Sequence, residues 1–301
     1  MMNIRHGLMT GLLALFSMAA SAQPTPISRD LPDGVEKISD LGYAAYGDRI
    51  LQLDLYRPSG ITDTLPAIVV IRGGGWAAGD KEGFGPVAAA LAAKGFIAVS
   101  IEYRDSSEAI FPAAVHDAKA AVRWLRAKAS AYQVNPDAIG VIGGSAGAHL
   151  ATYLGVTADM ADLEGDGGNN EVSSTVQAVV GLATPSSLIP VGGCNAQTDN
   201  PESVVAMFLG DGCSANEGLW AYASPVTQVS SRAAPALLVH SEADTVVNFS
   251  DSLMLGVAYG RANVPLDIKL IPDAPHPFWN FNEWFQDSID AAAIFFHRQL
   301  D

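Results

Sequence analysis

Thirteen residues near the middle of the chain leave few folds open. An apolar run, Ala138 to Ile142, leads directly into Gly143, Gly144, Ser145, Ala146 and Gly147, and a small-residue, helix-compatible segment, Ala146 to Val156, follows at once. The order is strand, turn, helix. A G-x-S-x-G sequence in that setting suits a nucleophilic serine on a sharp, strained turn, because flanking glycines let neighbouring backbone pass where a Cβ would clash. The helix that begins after Ser145 also directs unpaired N–H groups toward the place where an oxyanion would form. The alternative is an ordinary serine in a Gly-rich turn, since a chain with 29 Gly produces such patterns by chance.

The segments on either side alternate between two periodicities. Gly42 to Tyr46 and Ile50 to Tyr56 read as a hairpin at a sheet edge, with Gly47 and Asp48 between them. Ala67 to Ile71 and Phe96 to Ile101 are continuous apolar runs of the kind covered on both faces of a parallel sheet. An Ala-rich helix, Gly85 to Lys94, lies between them and stops at Gly95. From Pro112 to Ala131, Val115, Ala118, Val122, Leu125 and Ala129 recur at helical spacing and predict one long helix. Further strands are expected at Val176 to Leu182, Ala236 to His240 and Leu266 to Leu270, with helices near Ser250 to Arg261 and Glu283 to Gln299. Residues 185–224 read as irregular. Strands and helices in alternation predict one mostly parallel sheet with helices on both faces.

Composition bears on compartment and partners. Of 301 residues, 49% are hydrophobic and 16% charged, enough for one large packed domain over residues 23–301. Residues 1–22 read as a secretory signal: Arg5 and His6, an apolar stretch from Leu8 to Met18, then Ala20-Ser21-Ala22. That stretch is too short to span a bilayer comfortably. The mature chain is therefore expected in the periplasm or the medium, with no membrane span. There, the two cysteines, Cys194 and Cys213, are expected to pair and pin a surface insertion. With no second Cys or His near either of them in sequence, a cysteine-based metal site is not expected. A net charge of -15 would repel nucleic acid. The loop from Asp159 to Ser174 reads as a solvated turn cluster rather than a calcium site.

Arg72-Gly73-Gly74-Gly75-Trp76, followed by the Ser145 motif, resembles the H-G-G-G-[FW] and G-x-S-A-G pair of α/β-hydrolase esterases. The closer resemblance is to secreted bacterial acetyl xylan and feruloyl esterase-like carbohydrate esterases of the hormone-sensitive-lipase-like kind, over roughly Gly42 to Leu300. It implies an α/β-hydrolase fold of about eight strands, a small cap insertion at 185–224, no cofactor, and a triad in the order Ser, Asp, His. Asp244, in the loop after the strand ending at His240, matches the acid, with Glu242 as its rival, and His276 matches the base. His240 precedes the acid, the wrong order for a base, and His149 lies one turn beyond Ser145, where it packs or bonds locally. Backbone N–H groups of Gly74, Gly75 and Ala146 correspond to the oxyanion hole. Arg72 departs from the usual His. It either braces the loop through Glu102 or Asp80 or touches substrate. Trp76 and Trp279 are candidate faces for a sugar ring or an aromatic acyl group; Phe278, Phe281 and Trp284 are assigned to packing. The implied activity is deacylation of short-chain esters, acetyl or feruloyl, on plant polysaccharides such as xylan. A peptidase or formamidase and a non-catalytic binding module are the alternatives on the same fold.

Overall fold

The structure, a computed structural model, describes residues 23–158 and 160–301. The expected signal, 1–22, lies outside the described residues, as does Asp159 at the start of the expected turn cluster. Eight strands form one sheet: β1 (Val35–Tyr46), β2 (Arg49–Pro58), β3 (Leu65–Ile71), β4 (Ile97–Ile101), β5 (Val134–Gly144), β6 (Ala178–Leu182), β7 (Ala236–His240) and β8 (Leu266–Leu270). Their spatial order is β1-β2-β4-β3-β5-β6-β7-β8. The hairpin β1-β2 and its pairing with β4 are antiparallel, and every later pair is parallel.

Both faces of the central strands are covered, which explains why these strands are apolar throughout rather than alternating. On β3, Ala67, Val69 and Ile71 enter one core, with α2 (Ala113–Ala127), α4 (Ala146–Val156) and α8 (Ser250–Ala262). Ile68 and Val70 of the same strand enter the opposite core, against α1 (Gly85–Ala92) and α9 (Asn282–Leu300). Each large side chain so buried contributes about 1.5–3 kcal/mol relative to exposure.

Three local expectations need correction. The single helix over 112–131 breaks at Lys128: α2 ends there and a one-turn α3 (Ala129–Tyr132) follows, closed by Gln133 in the left-handed region, φ 60°. The first strand begins seven residues before Gly42, with a register shift around Asp40, whose φ of 60° and neighbouring irregularity hide the alternation. Finally, 185–224 is not merely irregular. It holds α5 (Val204–Leu209), whose N-cap Ser203 accepts from Ala206 N, and α6 (Glu217–Tyr222), whose N-cap Asn216 accepts from Leu219 N. A short α7 (Pro225–Gln228) follows. Cys194 and Cys213 are joined in a disulfide that brackets α5, their Cα atoms 5.4 Å apart. Among the described residues no helix is long and apolar enough to cross a membrane.

Candidate active site

The carboxyl ends of β3, β5, β7 and β8 open on one side of the sheet, where ligands of open parallel sheets bind. Each delivers one part of the site. At the end of β5 the chain turns through Ser145, at φ 54° and ψ -121°, and α4 begins at the next residue. A left-handed serine of this kind stores about 1–3 kcal/mol. It is held by its own N–H, which donates to Leu182 O at 2.8 Å. Gly147 lets α4 cross the end of β3: a Cβ there would lie 2.2 Å from Ile71 O and 2.4 Å from Arg72 O.

His276, in the loop after β8, reaches Ser145. The serine hydroxyl donates to its Nε2 at 2.8 Å, and its Nδ1–H donates to Asp244 Oδ2, also at 2.8 Å. Asp244 lies after β7, and its other oxygen accepts from Val246 N at 2.8 Å and Val247 N at 3.0 Å. Burial opposes its ionisation, but His240, His276 and these two amides outweigh that and hold the carboxyl well below the usual carboxylate range. Asp244 is therefore an anion at neutral pH, fit to fix the imidazole tautomer. Glu242, the rival acid, is exposed. His240 is fully buried, with Nε2 donating to Val247 O at 3.0 Å and lying 3.6 Å from Asp244 Oδ2. It backs the acid rather than facing Ser145.

The loop after β3 is pulled tight by Ala77 N and Ala78 N, both donating to Gly74 O at 3.1 Å. Gly74 adopts φ 112°, and a Cβ would lie 2.0 Å from Ala78 O. Gly74 and Gly75 line the same cleft as Ser145 and His276, and Ala146, as first residue of α4, has an N–H with no intrahelical acceptor.

Arg72 braces this loop, but not through the carboxylates expected. Its guanidinium donates to Ala78 O and, at 3.3 Å, to Gly73 O and Tyr103 Oη, and it stacks over the Tyr103 ring at 4.0 Å. Glu102 is engaged by Arg49 and Gln52 N instead, and Asp80 by Gly83 N. Trp76 lines the cleft but shows it little surface. It is 4% exposed, its face is stacked on Phe208 at 4.8 Å, and its Nε1–H donates to His149 Nδ1 at 3.3 Å. Trp279 packs edge-to-face on the His276 ring at 5.5 Å and against Phe84, so it supports the base while bordering the cleft.

Two features here escaped sequence reasoning. His149, whose backbone N–H donates to Ser145 O at 3.0 Å, also spans 74 residues to donate through Nε2 to Ala223 O at 2.8 Å, tying α4 to the insertion. The segment after residue 23 is docked beside His276, and its Arg29 lines the cleft. Neither feature has a local sequence signal. The cleft encloses about 840 Å³ and is lined by apolar residues, among them Leu188, Ile189, Val204 and Val205, and by polar ones, among them Ser187, Asn248 and Asp251. Among the described residues no cluster of three or more His, Cys, Asp or Glu is placed to hold a metal ion.

Residues 53–258 match the BD-FAE family. The esterase LipQ of Mycobacterium tuberculosis is 30% identical over 251 residues, which is 80% of this chain and 57% of LipQ. The chain spans about half the length of the curated relatives it matches. Among solved structures it is similar to a truncated form of a carbohydrate esterase from gut microbiota, with TM-score 0.76 and 27% identity over 92% of this chain and 98% of that one. It is also similar to the propionate-bound thermophilic esterase Est2 of Thermogutta terrifontis, with TM-score 0.73 and 27% identity over 88% of this chain and 94% of Est2.

Proposed function

The chain belongs to the BD-FAE family of α/β-hydrolase esterases, and from that premise we propose that it is a secreted or periplasmic serine carboxylesterase that removes short acyl groups, acetyl above all, from carbohydrate esters such as acetylated xylan. The observation that carries this reading is the continuous Ser145–His276–Asp244 hydrogen-bond chain, 2.8 Å at each link, opening into a cleft large enough for a sugar unit.

In the proposed reaction His276 Nε2 takes the Ser145 proton as Oγ attacks the ester carbonyl, and Asp244 stabilises the imidazolium. Backbone N–H groups of Gly74, Gly75 and Ala146 receive the oxyanion, each well-placed donor contributing about 3–4 kcal/mol in the transition state. His276 returns the proton to the leaving alkoxide, and the acyl-enzyme is hydrolysed by water with His276 again as base. A preference for short acyl groups is supported by Phe84 and Trp279, whose rings stand so close to the elbow that a Cβ on Gly144 would meet both. The apolar lining residues Leu188, Ile189, Val204 and Val205 would take the feruloyl group as second acyl class, and a likeness to a carbohydrate esterase supports the sugar side.

The test is hydrolysis of 4-nitrophenyl acetate, butyrate and octanoate, alongside acetylated xylan and methyl ferulate, by wild type and Ser145→Ala. We expect acetate release from xylan, rates that fall with acyl length, and loss of activity in the variant by about 10⁴-fold or more. A folded wild type that leaves every ester intact would overturn the assignment.

A further inference from the structure

Taking the esterase reading as its basis, we infer that Arg29 selects substrates whose alcohol portion carries a carboxylate, as a uronic-acid-bearing saccharide does. The segment that carries Arg29 is fastened to the loop immediately beyond His276. Ile27 N donates to Asn280 O at 3.0 Å, Asn282 N to Thr25 O at 2.8 Å, and Asn282 Nδ2 to Pro26 O at 3.1 Å. Pro26 and Phe281 form a β-bridge, and both Glu283 carboxylate oxygens accept from Thr25 N. These contacts over Thr25, Pro26 and Ile27 fix the direction: the chain arrives at the rim on the His276 side, and Arg29 lines the cleft together with His276, Pro277 and Asn280.

Placement on that side decides which half of an ester Arg29 meets. His276 must protonate the leaving alkoxide, so the alcohol lies beside the imidazole and the groups beyond it. The guanidinium is exposed, and among the described residues it has no ion-pair partner. Its neighbour Asp30 is occupied instead by the Ser28 hydroxyl at 2.9 Å. The cleft's own carboxylates are engaged too, Asp80 by Gly83 N at 2.9 Å and Asp251 by Ser186 N and Ser187 N at 2.9 and 3.0 Å. Arg72, the other cleft arginine, is bound within its loop. What remains is a planar guanidinium fork of the geometry that takes a carboxylate bidentately. It stands on a chain of net charge -15, which at long range repels anions, so a local cation is what an acidic substrate would need.

The experiment compares 4-acetoxybenzoate with 4-acetoxybenzamide, two acetate esters of nearly equal shape whose alcohol portions differ in charge. The quantity read is the ratio of kcat/KM for the anionic over the neutral ester, in which general loss of activity or of folded protein cancels. Arg29→Gln is expected to lower that ratio about five- to tenfold, chiefly through KM, Arg29→Glu to lower it further, and Arg29→Lys to restore most of it. Added salt should lower the ratio in wild type, by screening the contact, and raise it in Arg29→Gln, where only the repulsion from the acidic chain is left to screen. Equal ratios in wild type and Arg29→Gln, or a common response to salt, would overturn the inference while leaving the esterase reading standing. Hydrolysis of neither ester by wild type would overturn both.

Discussion

At the scale of single residues, two buried groups near Ser145, Asp244 and His149, are held in opposite charge states by their surroundings. Asp244 is kept ionised against the pull of burial by three hydrogen-bonding neighbours, His276, Val246 N and Val247 N, with His240 close beside it. In the proposed mechanism Asp244→Asn should preserve the packing yet lower kcat about 10⁴-fold, because a neutral amide fixes the wrong tautomer of His276. Measured turnover of 4-nitrophenyl acetate within tenfold of wild type would refute that role. His149 is the reverse case: full burial pushes its pKa down to about 4, with only the Ala223 carbonyl opposing. The unfolded chain therefore binds a proton near pH 6.5 that the native chain refuses until near pH 4. The sign follows. The contribution of neutral His149 is complete above about pH 6.5 and is lost as the pH falls toward 4, by about 2–3 kcal/mol. Asp244 titrates below this window, so it does not confound it. Urea midpoints at pH 7 and 4.5 should converge less in wild type than in His149→Gln, whose pH slope should be the shallower. Identical slopes would remove His149 from the account.

At the scale of elements, the strand β5, the turn at Ser145 and α4 form a unit whose geometry rests on small residues. Gly147→Ala would drive a Cβ into the carbonyls of Ile71 and Arg72, so α4 would have to move away from β3 and the loop that follows it. We expect a loss of roughly 2–4 kcal/mol, as for overpacking against backbone, with falling esterase activity. Gly260→Ala in α8 is the matched control, because nothing lies within 4 Å of the added Cβ. There the helix should gain about 0.5–1 kcal/mol. Thermal midpoints that move the same way for both would contradict this argument. This unit is also the part of the molecule that its sequence reveals most fully, because strand, turn and helix signals are contiguous at Ala138 to Val156. That Asp244 and His276 would come together with Ser145 followed from resemblance and chain order, and the three are hydrogen-bonded in that sequence. The brace by Arg72 was expected but its partners were not, since they are carbonyls and a tyrosine, and a backbone acceptor carries no residue signature. The contact of His149 with Ala223 and the docking of residues 25–29 on 280–282 depend on chain closure across 74 and more than 250 positions. Helices α5 and α6 were not legible: at six residues each they show too little periodicity to stand out, and their caps Ser203 and Asn216 lie in a stretch that reads as irregular.

At the scale of the whole molecule, the segment bracketed by the disulfide joins the cleft to the main core. Val204 and Val205 of α5 line the cleft, while Ala206, Phe208 and Leu209 of the same helix are buried with Cys213 and Trp220 in the core that holds α2 and α4. Phe208 also stacks on Trp76, which belongs to the loop after β3. The bridge between Cys194 and Cys213, separated by 19 positions, restricts the unfolded chain by about 3 kcal/mol in the chain-entropy account. Its removal should therefore be felt in two places. The Cys194→Ser/Cys213→Ser variant should melt about 5–10 °C lower, the shift that such a loss produces in a domain of this size. Its kcat/KM for 4-nitrophenyl acetate should fall through both constants, KM from a looser cleft wall and kcat from a less constrained Trp76. A small phosphonate reacting with Ser145 at an undiminished rate would separate the two, since it needs the nucleophile and the base but little of the wall. If the variant melts and turns over as wild type does, α5 is held by its buried face alone, and the bridge has no part in shaping the site.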